Sequence, residues 1–278
     1  MKKTLSLILL TAILLASCNY PSSPATPHNP SVATAVKLTL AALPTLTTIP
    51  SLKTPQAVTL VPTTTPVPAT ATPVMSTTPS AEDPKANLGK PTFRDTLDNG
   101  KGFGLSGDGY KDDNMLIKVA DGVMTLTSIH SNAFRGWRLT APTPQNFYLE
   151  AIFHVQTCSG KDQYGLVFRA PNYTDGYGYY YGVSCDGFFF LSRWDSNGKA
   201  FLSDWSSAPS LLQGSNKVNV LGVYAKDNTL SLYANGKKIQ EFKDDGLKGA
   251  GHIGPFLASL QTSNFTVLMD EISYWNLP

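Results

Sequence analysis

Carboxylates, histidines and cysteines are sparse in this sequence, and their spacing argues against several chemistries. Glu150 stands alone in its apolar stretch. Asp270 and Glu271 are adjacent, so on an extended strand they point to opposite faces. Cleaving a glycosidic bond takes two carboxylates set across it. His130, His154 and His252 have no carboxylate beside them, no Gly-x-Ser-x-Gly elbow occurs, and no Cys/His pair marks a nucleophile. The three cysteines and four histidines show no CxxC or HExxH spacing, which argues against a zinc site.

What remains is a set of arginines and aromatic rings on alternating segments. Gly165, Val167 and Arg169 share one face of a strand; Tyr164, Leu166 and Phe168 share the other and make the better core set. On the next strand Tyr180 lies with Gly178 and Gly182, whose missing side chains would leave room for a ligand. Arg193 lies with Phe189 and Leu191, and Trp194 with Phe188 and Phe190. An arginine turned inward on a curved sheet must be paired or must reach water. Arg169, Tyr180 and Arg193, with Trp205 on the following loop, form the candidate binding face. The alternative is that Arg169, Tyr180 and Arg193 decorate a solvated face and that Trp194 and Trp205 belong to the core.

The elements that must position these residues are strands. Beyond Thr92 the hydrophobic pattern has period two, broken by turn residues about every 8–12 positions. Strands are expected at Met115 to Val119, Val123 to Thr127, Phe147 to Val155, Tyr164 to Ala170, Tyr177 to Ser184 and Phe188 to Trp194. Further strands are expected at Lys217 to Ala225, Thr229 to Ala234, Lys237 to Phe242, Ile253 to Ala258 and Phe265 to Trp275. Ala120-Asp121-Gly122 and Asn235-Gly236 are hairpin signals. Roughly a dozen half-apolar strands without a long amphipathic helix predict an all-β, two-sheet antiparallel sandwich.

The stretch Tyr164-Gly165-Leu166-Val167-Phe168-Arg169, with Gly178-Tyr179-Tyr180-Tyr181 and Asp186-Gly187-Phe188-Phe189, resembles a known module. So do Asn219-Val220 through Leu230-Ser231-Leu232-Tyr233-Ala234-Asn235-Gly236 and the terminal Val267-Leu268-Met269-Asp270. Together, from about Phe93 to Trp275, they resemble the concanavalin A-like lectin/glucanase jelly roll, in the branch with laminin G-like and keto-disaccharide hydrolase-like domains. The resemblance implies a curved sheet whose concave face often binds carbohydrate. The laminarinase-type Glu-x-Asp-x-x-Glu motif of that fold is absent here. The expectation is therefore a glycan-binding domain. A protein-interaction or display module is the first alternative and a sugar hydrolase of the keto-disaccharide type the second.

The N-terminal third carries a different message. Lys2 and Lys3 precede an apolar run from Leu5 to Leu14, too short for a stable bilayer-spanning helix, and Leu15-Ala16-Ser17-Cys18 follows. This tetrapeptide resembles the bacterial lipobox. The resemblance implies a signal peptide over residues 1–17, cleavage before Cys18, a diacylglycerol on its thiol, and an extracytoplasmic protein held at a membrane or outer envelope. From Asn19 to Ser80 only Lys37 and Lys53 carry charge, and 12 of the 20 prolines fall there. Such a stretch cannot propagate helix or sheet and lacks the apolar residues to offset chain entropy. Residues 18–91 thus read as the lipidated cysteine and a disordered Pro/Thr-rich tether, and 92–278 as the β domain. All four tryptophans lie in that last part. The net charge of +2 and the absence of any Lys/Arg run exclude nucleic acid as the expected partner.

Beyond Cys18 two cysteines remain. In an oxidising compartment Cys158 and Cys185 are expected to pair, since each follows a strand of the same meander. Asp95 and Asp270 lie near the two ends of the β domain. Some relatives in the resembled family bind calcium there, and hard oxygen ligands would suit that ion. The alternative is that both carboxylates cap turns. No other cofactor is expected.

Overall fold

Two hairpins set the register as the turn chemistry requires. Asp121 and Gly122 take φ of 56° and 74°, and Asn235 and Gly236 take 52° and 74°. Positive φ at both central positions is the type I′ backbone, which Asx-Gly adopts at little cost. The first turn joins β3 (Met115–Ala120) to β4 (Val123–Ser128), and the second joins β12 (Thr229–Ala234) to β13 (Lys237–Lys243).

The computed structural model describes residues 82–278, which form a two-sheet antiparallel jelly-roll sandwich, the expected fold. The nine-stranded sheet adds β1 (Phe93–Asp95), β2 (Tyr110–Lys111), β6 (Phe147–Val155), β11 (Lys217–Lys226) and β15 (Phe265–Asn276) to those two hairpins. Its order is β13-β12-β11-β6-β15-β4-β3-β2, with β1 beside β15. The six-stranded sheet contains β5 (Arg135–Trp137), β7 (Gln163–Ala170), β8 (Gly178–Ser184), β9 (Phe188–Asp195), β10 (Gly198–Ser207) and β14 (His252–Ala258). Its order is β10-β9-β8-β7-β14-β5. Among the described residues no α-helix occurs, only the 3-10 turns Pro84–Asn87 and Lys101–Phe103. Cys18, the signal segment and the tether as far as residue 81 lie outside the described residues.

Period two decides which side chains enter the core. Leu149, Ala151, Phe153 and Val155 of β6 face Tyr164, Leu166 and Phe168 of β7 and Tyr179, Tyr181 and Val183 of β8, all buried. Tyr164, Leu166 and Phe168 are thus the core set expected of their strand. A smaller cluster of Tyr148, Tyr233 and Trp275 lies on the far side of the nine-stranded sheet. Residues 83–89, assigned to the linker in the sequence, dock there: Trp275 Nε1 donates to the Gly89 carbonyl at 2.9 Å, and Lys85 Nζ meets Glu150 at 2.6 Å.

Cys158 and Cys185 are bonded, with Cα atoms 5.6 Å apart. Cys158 follows β6 and Cys185 follows β8, which lie in different sheets, so the bridge ties the two layers together rather than one sheet edge to itself. The bond closes a separation of 27 residues. In the chain-entropy account, a loop of this size contributes about 3.5 kcal/mol. Reduction, or paired Cys→Ser substitution, is expected to lower the unfolding free energy by about that much in a denaturant titration; an unchanged midpoint would contradict it.

Candidate functional site

The outer face of the six-stranded sheet breaks the rule that outward positions of a sandwich are polar. Reading across the registers, β5 offers Arg135 and Trp137, β14 Phe256 and Ala258, β7 Gln163 and Val167, β8 Tyr180, β9 Phe190, Ser192 and Trp194, and β10 Lys199 and Phe201. Tyr180, Phe190 and Phe256 are buried there with Val167, Leu139 and Ala170, and Trp137, Trp194 and Trp205 pack on them half-buried. Three of the four tryptophans thus gather on one face outside the main core.

Local geometry turns these residues outward. Gly136 sits between Arg135 and Trp137 because its inward position is filled: a Cβ there would stand 1.3 Å from Met115 Sδ. The glycine space beside Tyr180, expected to be open to a ligand, is closed. A Cβ on Gly182 would lie 2.2 Å from the Phe190 ring, so that ring occupies the gap. Phe190 in turn meets Trp205 edge-on, with centroids 4.7 Å apart, and Tyr180 meets Phe256 at 5.1 Å.

Arg135 crosses this face. Its guanidinium carbon lies 3.8 Å from the Trp194 ring centroid and 4.2 Å from that of Tyr180. Arg135 is on the edge strand β5 and Trp194 is on β9, four strands away. At the usual strand spacing that is about 19 Å in a flat sheet, beyond the joint reach of the two side chains. The face is therefore concave. Lys199, from the opposite edge strand β10, closes the other side, with Nζ 3.9 Å from the Phe201 centroid. Between them is a cleft of about 180 Å³ lined by Arg135, Tyr180, Phe190, Ser192, Trp194 and Lys199, among others.

The electrostatics of the cleft are one-sided. Burial lowers the pKa of Arg135, opposed by the Tyr180 hydroxyl. Burial also lowers that of Lys199, with Arg135 adding to the effect and Asp204 opposing it. No carboxylate lines the cleft. A larger cavity of about 380 Å³ lies beyond Trp137, lined by Lys101, Phe103, Arg138, Leu139 and Tyr173 among others. There the Arg138 guanidinium is already committed, donating to the carbonyls of Phe103 at 2.7 Å and Gly104 at 2.8 Å. The smaller cleft is the better candidate because Arg135 Nε and Nη1 and the Ser192 hydroxyl have no partner there.

The structure divides the residues singled out in the sequence. Tyr180 and Trp205 lie on this concave face, Trp205 on the strand β10 rather than on a loop. Arg169 does not. Its φ of 52° and the bulge between β7 and β14 break the period-two parity, and the side chain turns to the interior. There, 2 % exposed, it donates to the carbonyls of Asp227 (2.8 Å), Leu247 (3.0 Å) and Gln145 (3.2 Å). Arg193 pairs instead with Asp195 at 2.7 Å and Asp244 at 2.5 Å, and Tyr179 also donates to Asp244. Arg169 and Arg193 hold the loop between β13 and β14 to the end of the sandwich.

Asp95 and Asp270 are not brought together as cation ligands. Asp95 Oδ1 accepts from the Leu97 amide at 2.8 Å, a turn-capping bond, and Asp270 pairs with His154 at 2.5 Å. Among the described residues no group of three or more His, Cys, Asp or Glu could hold a metal. Arg135, Trp194 and Lys199, which line the cleft, were not among the residues singled out in the sequence. The Arg-x-Trp spacing at 135–137, which puts a cation and an indole on one strand face, was the available signal.

No family model matches this chain, and no curated protein matches it in sequence. Solved structures of similar shape include the carbohydrate binding module CBM66 from Bacillus subtilis. It has 14% identity and a TM-score of 0.46, covering 55% of this chain and 86% of that one. A Bacillus subtilis protein of unknown function with a galectin-like fold aligns at 12% identity and TM-score 0.48, over 68% and 97% of the two chains. A xylan beta-1,4-xylosidase from Bacillus halodurans C-125 aligns at 13% and 0.44, over 67% and 40%. Likeness at this level carries no argument about ligand or activity, which rest on the site itself.

Proposed function

We propose that this chain is a lipid-anchored, extracytoplasmic protein whose β-sandwich binds carbohydrate on the concave face of its six-stranded sheet. The observation that carries the reading is the aromatic cluster on an outward face: Tyr180, Phe190 and Phe256, with Trp137, Trp194 and Trp205 packed on them around an open cleft. Aromatic rings offer apolar faces to the C–H faces of a sugar, while cleft-edge cations and hydroxyls take its polar groups. A cleft with no carboxylate in its lining has no acid/base pair for glycoside cleavage, so the geometry supports binding rather than hydrolysis there.

The test is binding of the intact chain to a polysaccharide panel by calorimetry or affinity electrophoresis. Trp194→Ala is expected to weaken binding at least tenfold, about 1.4 kcal/mol, with cooperative melting retained. Binding to no glycan would sink the reading and favour a protein partner or a display role. The anchor is tested separately: labelled fatty acid should be incorporated at Cys18 and lost in Cys18→Ala, and an unlabelled, freely released chain would refute it.

A further inference from the structure

We infer that the concave cleft selects an anionic saccharide, a glycan whose rings carry a carboxylate or sulfate group, with the anion seated between Arg135, Lys199 and the Ser192 hydroxyl. This rests on the carbohydrate reading above and names the ligand's chemistry.

Three observations converge on it. First, the two cations of the cleft are uncompensated: among the described residues neither Arg135 nor Lys199 is within ion-pair distance of a carboxylate, whereas Arg193, Arg94 and Lys161 each are. Asp204, the acidic group that acts on Lys199, is turned to its own strand and accepts from the Trp205 amide at 2.8 Å. Second, polar atoms are buried here without partners. Arg135 Nε and Nη1 and the Ser192 hydroxyl have none, and Ser192 is fully buried. Only Nη2 of Arg135 is engaged, donating to the Gly176 carbonyl at 3.2 Å. Third, the rings of Trp194 and Tyr180 cover the faces of the guanidinium, so that an acceptor for Nε and Nη1 must come at its edge.

A stacked guanidinium of this kind is pre-organised. Its faces gain from the rings, but buried donors left unmade cost free energy that an acceptor would recover. A planar or tetrahedral oxyanion is the acceptor that suits a guanidinium edge, and charge-assisted bonds are the strong ones. A neutral sugar would meet the rings but leave both cations unbalanced. The aromatic walls make an isolated inorganic anion a poorer fit than an anion borne on a sugar ring.

The probes are matched sets presented to the intact chain: dextran with carboxymethyl-dextran and dextran sulfate, and polygalacturonate with its methyl ester. At least one acidic member should bind tenfold or more tightly than its neutral counterpart, with affinity falling as salt rises. The carboxylate and sulfate arms show which anion is preferred. Lys199→Gln, at the edge of the cleft, and Arg135→Gln should each remove most of that preference. Should Arg135→Gln fail to fold, Lys199→Gln alone decides. Equal binding of neutral and acidic members, or a preference that both variants keep, would overturn this inference while leaving carbohydrate binding standing. Binding to none of the glycans would remove both.

Discussion

Asp162→Ala should cost the fold about 4 kcal/mol, because one fully buried carboxylate holds two distant loops together. Its Oδ1 accepts from the consecutive amides of Leu260 (2.8 Å), Gln261 (2.7 Å) and Thr262 (3.2 Å) and from the Ser259 hydroxyl (3.2 Å). Its Oδ2 accepts from the Ser159 amide at 3.3 Å. Three successive N–H groups form an anion-binding nest, and removing the anion leaves them without their acceptor. Burial alone would push this carboxyl up, but the bonds from Thr262, Gln261 and Leu260 outweigh it and hold the pKa below the usual value. A carboxyl depressed in the folded state adds stability above its unfolded pKa, near 4, and that stability is lost as pH falls through the lower folded value. Asp162→Asn, which keeps the shape and one acceptor oxygen, isolates this charge. Its deficit relative to the natural chain should be constant from about pH 5 upward and should close on acidification below about pH 4. Chemical denaturation across pH measures it. A deficit that is unchanged in acid would show that the lost second acceptor oxygen, not the charge, carries the contribution.

The contrast between what was legible and what was not follows the range of the interactions. Period two and Asx-Gly turns are local, so β6 was readable to the residue and both type I′ hairpins fell where Asp121-Gly122 and Asn235-Gly236 demand them. β10 was read as loop because Gly198–Ser207 is an edge strand with two register shifts and little burial, which erases the alternation. The Cys158–Cys185 pair was legible from compartment and count, but not that it spans two sheets, since strand-to-sheet assignment is a long-range property. Asp162 gave no signal at all: the partners of its Oδ1 lie 97 to 100 residues away. Tyr180 and Trp205, singled out in the sequence, do lie together on the concave face of the six-stranded sheet. Arg169 was placed there by carrying parity through a strand end where the backbone leaves the β region, and Arg193 despite a parity that sets it with Phe189, Leu191 and Tyr179 on the inner face.

Arg169 shows what that error would do to an experiment. Read by parity, Arg169→Ala would be the variant that abolishes ligand binding and spares the fold. The structure predicts the reverse. Truncation removes three hydrogen bonds, leaves the carbonyls of Asp227, Leu247 and Gln145 without this donor, and opens a cavity the size of one of the largest buried side chains in the domain. Together these should cost about 4 kcal/mol, or roughly 10 °C in melting temperature for a domain of this size. Arg169 is fixed by the loops at the end of the sandwich, while the cleft is lined by Arg135, Ser192, Trp194 and Lys199. Glycan affinity measured well below the melting transition should therefore match that of the natural chain. Calorimetric melting with a binding isotherm on the same sample separates the two outcomes. An unchanged melt with binding lost would return Arg169 to the binding surface, whereas a depressed melt with binding kept would establish it as the clamp that closes the sandwich beneath an aromatic face it does not touch.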